Sequence, residues 1–491
     1  MKKSIVVIMS PLILSNAFAD DNMPKSMSEV SGKVPFLTLT AEEAYTANAK
    51  IHPFINSSLD RPTTYDGGFF ELNHEYPSEI KKPTEPYPWK AVTKGKEITK
   101  ANAYDYVMAL KAYVADDMRA LIFDRNNPNN SDWYQSIWLG TEREPIHGMY
   151  VGSGFPAHAL TDQNLDLTTY VYTLYDKTAA KTLGDIWGVD LKSAMNPTLS
   201  EKTTQYAEGS VIVKFSFVTP CGSDWSPMEN TAIWQIYAPV NISNGTAKSA
   251  DSTCKNRGAE GDGSTPVLTN VYLMQFDIIV KDTQAAPDTG WVFSTLVYDK
   301  DAKGSDAWDR MVPLGATWGG DPDVINVEPS ALTPPASVNP KLQENWINEE
   351  TPAYARSTLG WDGRLSGPND GAVVTPAWAA GKYYHKGLSS AGCLACHSSA
   401  QYPMTAFLLP STTYPPQTQK APLSSDPSSA SLVLAEPGSD LWMQWFQSRS
   451  GSTPMGPKDK DGNEPIALDY DMVTAFKAIP MWQAAVKAAS N

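Results

Sequence analysis

The chain has 491 residues, with 39 Lys or Arg against 54 Asp or Glu, so its formal net charge at pH 7 is −15. This acidic balance argues against binding to nucleic acids and against binding to anionic membrane surfaces. The length exceeds what one ordinary core accommodates and predicts two or three domains.

Residues 1–19 have the pattern of a secretory signal peptide. Lys2 and Lys3 form a positive n-region, residues 5–14 form an apolar h-region, and residues 17–19 (Ala-Phe-Ala) form a cleavage site. An uncleaved membrane anchor is the alternative, but the apolar stretch is short for a spanning helix. Cleavage would remove two lysines and no acid, leaving a charge of −17. The sequence therefore predicts a periplasmic protein with no membrane span in the mature form.

Two regions are predicted between this peptide and residue 204. Residues 20–98 are rich in Pro, Asn and acidic residues without clear periodicity, which predicts an extended N-terminal arm. Residues 99–204 are predicted to be a helical region. Apolar residues recur at near-helical spacing over 100–123, and a second helix is expected from Thr168 to Leu183.

The middle of the chain changes to a strand-like pattern. Runs of β-branched and aromatic residues, each bounded by turn residues, occur at 209–218, 230–240, 269–282 and 289–301. They predict an antiparallel sheet or partly closed barrel within a β domain over 205–325. Cys221 and Cys254 lie in this domain, and an even pair of cysteines in an oxidising compartment most simply forms a structural disulfide.

The last part of the chain is predicted to contain a connector and a small terminal segment. Residues 326–376 are rich in Pro and Gly, and residues 377–491 end in a helix from Leu468 to about residue 488, interrupted at Pro480. The overall prediction is an α+β fold, with a β-rich antiparallel middle domain, flanking helices and a small C-terminal segment of helices and loops.

The terminal segment carries the clearest chemical motif. Cys393, Cys396 and His397 form C-x-x-C-H, which in an exported protein is a covalent haem c attachment site. Two thiols at this spacing can reach two vinyl groups on one edge of the macrocycle, and the adjacent histidine can ligate the iron. A redox-active disulfide would require a surrounding βαβ pattern, and a zinc site would require two further ligands. The motif therefore predicts one covalent haem c.

The sixth iron ligand decides whether such a haem transfers electrons or binds a substrate. Met455 lies in a Pro-flanked loop between His397 and the last helix, an arrangement that resembles small class I cytochromes c and makes Met455 a possible axial ligand. The stretch AAGKYYHKGLSSAGCLACH also resembles the helix that precedes the motif in that family. Met404 is too close to His397 along the chain, Met443 is more simply a core residue, and His385 is more simply a solvated histidine.

A second resemblance concerns Lys214. The strand YAEGSVIVKF, the later strand DTGWVFSTLVYD and a C-terminal C-x-x-C-H resemble the lysine-crosslinked haem c family, which includes hydroxylamine-oxidising cytochromes with an open sixth iron position. The resemblance implies that Lys214 contacts the macrocycle. The simpler interpretation is an outward-facing strand lysine. This chain is more than twice the usual length of that family.

The full-length pattern resembles large exported monohaem c-type cytochromes. The leading hypothesis is electron transfer through haem c to a redox partner protein, and the acidic charge would suit a basic partner. The alternative is a haem c enzyme or gas-binding protein that oxidises a small molecule such as hydroxylamine. A third hypothesis treats the β domain as a ligand-sensing or partner-docking module with the haem as its reporter.

One further polar stretch lies before the sheet. EREPIHGMYVGSGFPAHAL gathers three charged residues and two histidines: Glu142, Arg143, Glu144, His147 and His158. These residues could line a cavity near the haem, with a histidine as an acid–base group. The simpler interpretation is a structural loop with locally paired charges.

Overall fold

A computed structural model describes residues 52–80, 85–126, 128–130, 132–155, 160–161, 163, 167–219, 225–238, 266–324, 339–371, 374–379, 382–389, 392–404, 439–456, 458 and 462–490. Within these residues an antiparallel sheet of eight strands forms the body of the molecule. Its strands are β1 (Tyr150–Phe155), β2 (Leu167–Tyr175), β3 (Val211–Val218), β4 (Ile233–Ala238), β5 (Val267–Lys281), β6 (Trp291–Tyr298), β7 (Met311–Thr317) and β8 (Asn345–Ile347). The order in space is β1-β2-β3-β5-β6-β7-β8, and β4 pairs with the first part of β5.

Helices and two small sheets surround this body, which confirms the predicted α+β class. The helices are α1 (Pro88–Thr93), α2 (Ala103–Phe123), α3 (Lys177–Trp187), α4 (Leu191–Met195), α5 (Ala353–Arg356), α6 (Pro368–Gly371), α7 (Cys393–His397), α8 (Asp440–Met443) and α9 (Ile479–Ser490). The small sheets pair β9 (Val374–Ala379) with β10 (Lys382–Ser389) and β11 (Gln401–Tyr402) with β12 (Ile466–Ala467). No helix in the described part of the chain is long and apolar enough to cross a bilayer.

The predicted helix from Thr168 to Leu183 is wrong. Its first half is strand β2, which pairs with both β1 and β3 and is buried at nearly every position. Aromatic and β-branched side chains favour this half-buried, pleated setting over a helix. The helix begins only after Asp176, whose side chain accepts a hydrogen bond from the Ala179 backbone N–H as an N-cap.

The other sequence predictions of helices and strands agree more closely with the structure. The four predicted strand runs correspond to β3, β4, β5 and β6, and the early helix corresponds to α2. The terminal helix is interrupted just before the expected place: a π-helical turn (Thr474–Ala478) runs directly into α9, which contains Pro480. Pro480 has no backbone N–H to donate, so the regular α-helical hydrogen-bond ladder cannot run through it.

The two faces of the large sheet bury two different hydrophobic clusters. Side chains alternate between the faces along each strand. Val213 and Phe215 point to one face and pack in the cluster that contains α2. Ile212, Ile279 and Phe293 point to the opposite face and pack in the cluster that contains α3 and the C-terminal residues. We call this second face the C-terminal face, because it carries α7 and the chain that follows it.

The segment before α7 differs from the expectation drawn from class I cytochromes. Residues 374–379 and 382–389 pair as the antiparallel strands β9 and β10, so the expected helix before the motif is wrong. Tyr383 and Tyr384 in β10, with Val374, Thr375 and Trp378 in β9, are residue types that favour strands.

Candidate functional site

The C-x-x-C-H motif forms the short helix α7. Because Cys393 and Cys396 are three residues apart on a helix, their side chains lie on one side of it. Both cysteines are half-buried, and no disulfide joins them. Leu394 between them is buried in the second cluster, and the Cys393 backbone N–H donates to the Leu365 carbonyl at 2.9 Å. The helix is therefore anchored to the body while both thiols point the same way.

A hydrogen bond and a ring contact help to orient His397. Its Nδ1 lies 2.8 Å from the backbone carbonyl oxygen of Tyr470, so the tautomer that donates from Nδ1 has its lone pair on Nε2. Its ring packs against Phe293 of β6 with centroids 4.7 Å apart. A second partner that fixes the tautomer is typical of metal-ligating histidines. The two thiols and this imidazole fit a covalent haem c.

The carbonyl of Tyr470 belongs to a constrained turn. Asp469 and Tyr470 have φ angles of 45° and 69°, in the left-handed region that side chains other than glycine rarely adopt. Asp469 holds the turn in place: its carboxylate lies 2.7 Å and 2.9 Å from Lys281 Nζ and accepts from Trp291 Nε1 at 2.7 Å. Its side chain is fully buried. Such a conformation persists only where the surroundings over-determine it.

Asp471 completes the support of the same turn. It accepts hydrogen bonds from the hydroxyl groups of Tyr175 and Tyr206 and from the hydroxyl group of Thr474. Burial, together with the nearby Asp471 carboxylate, raises the pKa of both tyrosines well above the usual value. The sequence analysis missed this turn. Two aspartates within the largely apolar stretch IALDYDMV could have signalled buried, paired carboxylates.

Lys214 is not the outward-facing lysine that the sequence favoured. It lies opposite Asp277 on the neighbouring strand, and its Nζ is 3.1 Å from the Asp277 carboxylate. Only 20% of its side chain is exposed. Asp277 also accepts from Thr295 Oγ1 at 2.7 Å and from Gln275 Nε2 at 2.9 Å. We call Lys214, Asp277, Thr295 and Gln275 the polar row.

The polar row lies on the same face of the sheet as the motif. Lys214 is two residues from Ile212, and Thr295 is two residues from Phe293, so all four point to the C-terminal face. His397 contacts that face at Phe293. Residues i and i+2 of a strand are about 7 Å apart. Thr295 of the polar row therefore lies about this far along β6 from Phe293, the residue that His397 contacts.

Met455 is tied to the chain that follows the motif. The backbone N–H groups of Met455 and Gly456 donate to Oε1 of the buried Gln401 at 2.8 Å and 2.9 Å. Gln401 is four residues after His397, so the Met455 loop lies beside this end of the motif.

Of the other residues considered in the sequence analysis, the two methionines pack in or against the core, and the remaining ones lie outside the described residues. Met443 is buried, as a core residue would be, and Met404 packs partly buried against the second cluster. Cys221 and Cys254 lie outside the described residues, as does the side chain of His385. Within the described ranges no group of three or more His, Cys, Asp or Glu side chains could hold a metal ion.

The polar stretch before the sheet forms a buried loop. His147 is stacked on Trp234 with centroids 4.1 Å apart, and Glu142 forms an ion pair with Lys477. The carboxylate of Glu144 accepts hydrogen bonds from four backbone N–H groups, those of Ile146, His147, Met149 and Tyr237. These contacts support the structural interpretation of the loop; His158 lies outside the described residues.

Burial of this loop predicts a pH-dependent stability difference. It raises the pKa of Glu144 to about 7 and lowers the pKa of His147 to about 3. A carboxyl group whose folded-state pKa is raised stabilises the fold at low pH and loses that contribution as the pH rises through the folded-state value. His147 acts in the opposite sense, because its contribution is lost as the pH falls. Comparison with Glu144→Gln, which keeps His147, therefore isolates Glu144.

We expect the wild-type protein to lose stability relative to Glu144→Gln between about pH 5 and about pH 7, by about 1 kcal/mol per pH unit. Urea denaturation at a series of pH values measures this difference. A difference that does not change with pH would contradict the assigned direction of the Glu144 shift.

Comparison of the chain with protein-family models, with curated proteins and with solved structures gives no match. A functional proposal for this chain therefore depends on the residues of the site.

Proposed function

We propose that the protein is a periplasmic monohaem c-type cytochrome that transfers electrons through a haem bound covalently to Cys393 and Cys396. The observation that carries the proposal is the 2.8 Å contact between His397 Nδ1 and the Tyr470 carbonyl, at the end of the helix that presents both thiols. This contact selects the tautomer with an Nε2 lone pair suited to iron. The haem would supply a metal centre that changes its charge by one electron.

The protein residues would hold this centre in a fixed orientation within the fold. Phe293 packs against the imidazole of His397, and the buried turn at Asp469 and Tyr470 sets the position of the carbonyl that accepts its proton. An electron carrier benefits from such rigidity, because little needs to rearrange when its charge changes. The acidic chain, with a net charge of −15, would suit a redox partner protein with a basic docking surface.

The test of the proposal is the visible absorption spectrum of the protein produced in a bacterium that attaches haem c in its periplasm. We expect covalently bound haem, and sharp α and β bands in the reduced protein that carbon monoxide does not change. A purified, folded protein without covalent haem would overturn the proposal. Attached haem with a broad spectrum that shifts with carbon monoxide would overturn the electron-transfer function in favour of the second candidate below.

In this proposal Met455 would be the second protein ligand of the haem iron. We expect Met455→Ala to convert the low-spin spectrum to a high-spin one and to allow carbon monoxide to bind, because one of two strong ligands is lost. Met404→Ala is the matched control, since Met404 is also a half-buried methionine of the terminal segment; it should leave the spectrum unchanged. A low-spin spectrum in Met455→Ala would assign the sixth position to another group.

The polar row supports a second candidate function. A haem c enzyme or gas-binding protein with an open sixth iron position would oxidise a small molecule such as hydroxylamine. Lys214, Asp277 and Thr295 place a cation, a carboxylate and a hydroxyl group on the sheet face that His397 contacts. A few fixed polar groups beside an apolar wall are typical of small-ligand sites. In this case Met455→Ala would leave the spectrum unchanged, and turnover of hydroxylamine would depend on Lys214.

A further inference from the structure

Arg449 places a positive charge beside the haem motif. One of its terminal nitrogens donates to the Gln444 carbonyl at 2.9 Å, and the other donates to the same carbonyl and to Ser398 Oγ at 3.1 Å. The third nitrogen, Nε, is buried and has no hydrogen-bond partner. The five N–H donors of the guanidinium make three bonds in these contacts, so the Nε–H and one N–H of the first terminal nitrogen remain for a further group.

No carboxylate balances this charge among the residues that the structure describes. Burial lowers the pKa of Arg449, and the nearby Tyr470 acts in the opposite direction. Lys281 and Lys214 have carboxylate partners, Asp469 and Asp277, whereas the buried Lys111 and Arg364 donate to backbone carbonyls. Arg449 belongs with the second group, but its Nε still has no hydrogen-bond partner. Arg449 is partly buried, and removing a charge from water without a counter-ion carries a cost, so an anion at Arg449 would reduce that cost.

Two contacts bring Arg449 close to the proposed iron ligand. Its terminal nitrogen reaches Ser398, the residue that follows His397. Its backbone carbonyl accepts a hydrogen bond from the Tyr470 hydroxyl at 2.7 Å, while the Tyr470 carbonyl is the partner of His397 Nδ1. Arg449 therefore contacts both the residue that follows His397 and the residue whose carbonyl orients the His397 ring.

We infer that Arg449 binds a carboxylate group of the haem itself, an inference that rests on the proposed function. Haem c keeps two propionate carboxylates after attachment, and a carboxylate matches the guanidinium in charge and can accept from the N–H groups of Arg449 that remain without a partner. A free carboxylate anion from solution has the same chemistry, so the experiment must separate these two sources.

The experiment compares haem-loaded wild-type protein with Arg449→Gln and Arg449→Lys. Arg125→Gln is the control for a change in total charge, because Arg125 is an exposed arginine paired with Asp66. Resonance Raman bands of propionate bending report on hydrogen bonds to the carboxylate, and a redox titration gives the midpoint potential. Each sample is titrated with acetate, and a haem stain shows whether covalent haem is present.

We expect Arg449→Gln to shift the propionate bands and to lower the equilibrium constant for reduction about tenfold, because a nearby positive charge favours the reduced haem. Arg449→Lys should shift the bands as well, because an ammonium group cannot place its donors where the Nε–H and the remaining terminal N–H of Arg449 lie, but it should keep most of the reduction equilibrium. Arg125→Gln should change neither. If Arg449→Gln does not fold, the inference is tested by comparing the propionate bands of Arg449→Lys with those of the wild-type protein.

Two results would overturn the inference while the proposed function stands. In the first, the haem is attached and the propionate bands are identical in every variant. In the second, acetate changes the potential of the wild-type protein but not that of Arg449→Gln, which would assign the site to a free anion. Wild-type protein without covalent haem would overturn both the inference and the proposed function.

Discussion

Replacing both Cys393 and Cys396 with alanine is expected to abolish covalent haem attachment completely. The two thiols lie on one side of helix α7, half-buried and without a disulfide between them, and a thioether can form only where a thiol is present. A haem stain of the denatured protein and its intact mass measure the result. The periplasm of a cell with haem c maturation is the appropriate place for expression.

The matched control for this experiment is the double variant Cys221→Ala and Cys254→Ala, which removes the other two cysteines of the chain. It should retain the haem and should lose stability if the expected disulfide exists. Haem that remains attached to the variant lacking Cys393 and Cys396, or that is lost only from the control, would contradict the proposed attachment site.

Asp469→Ala is expected to reduce the free energy of unfolding by about 3–5 kcal/mol, because it leaves a buried lysine without its partner. Lys281 keeps only 11% of its side chain exposed, and the removed carboxylate also accepts the indole N–H of Trp291. The same change removes the support of the left-handed turn whose carbonyl orients His397. Urea denaturation of the wild-type and variant proteins measures the loss.

Two further variants make this prediction specific to the buried ion pair. Asp185→Ala breaks the more exposed ion pair with Lys181 on helix α3 and should cost less than about 1 kcal/mol. The double variant Lys281→Met and Asp469→Leu replaces both charges by apolar groups and should be more stable than Asp469→Ala alone. Equal losses in Asp469→Ala and Asp185→Ala would show that burial of the pair contributes little.

Parts of the fold could be predicted because their signals are local. Helix α2 and strands β3 to β6 follow from the spacing of apolar residues within short windows of sequence. Strand β2 was predicted as a helix because its apolar residues do not alternate cleanly with polar ones, so the period does not separate a helix from a buried strand. Its pairing with β1 and β3 decides the outcome, and both lie outside the short window from which the prediction was made.

The candidate site shows the same division. The C-x-x-C-H motif is contiguous, so haem c attachment could be proposed without any knowledge of the fold. Lys214 was expected to face solvent because lysines on strands usually do. Instead, Lys214 forms an ion pair with Asp277, which lies 63 residues later in the chain. The pairing of β3 with β5 brings the two side chains together.

The sequence by itself therefore determined the α+β class and the acidic charge of the chain, and it is the source of the haem c proposal at Cys393 and Cys396. Only the tertiary structure decided how His397 is oriented, since its partner Tyr470 lies 73 residues away and is held by Asp469 through contacts with other strands. The reason is physical: local sequence sets the reactive groups and the propensities of short segments. The geometry that makes those groups useful comes from hydrogen bonds and packing between segments that meet only in the folded chain.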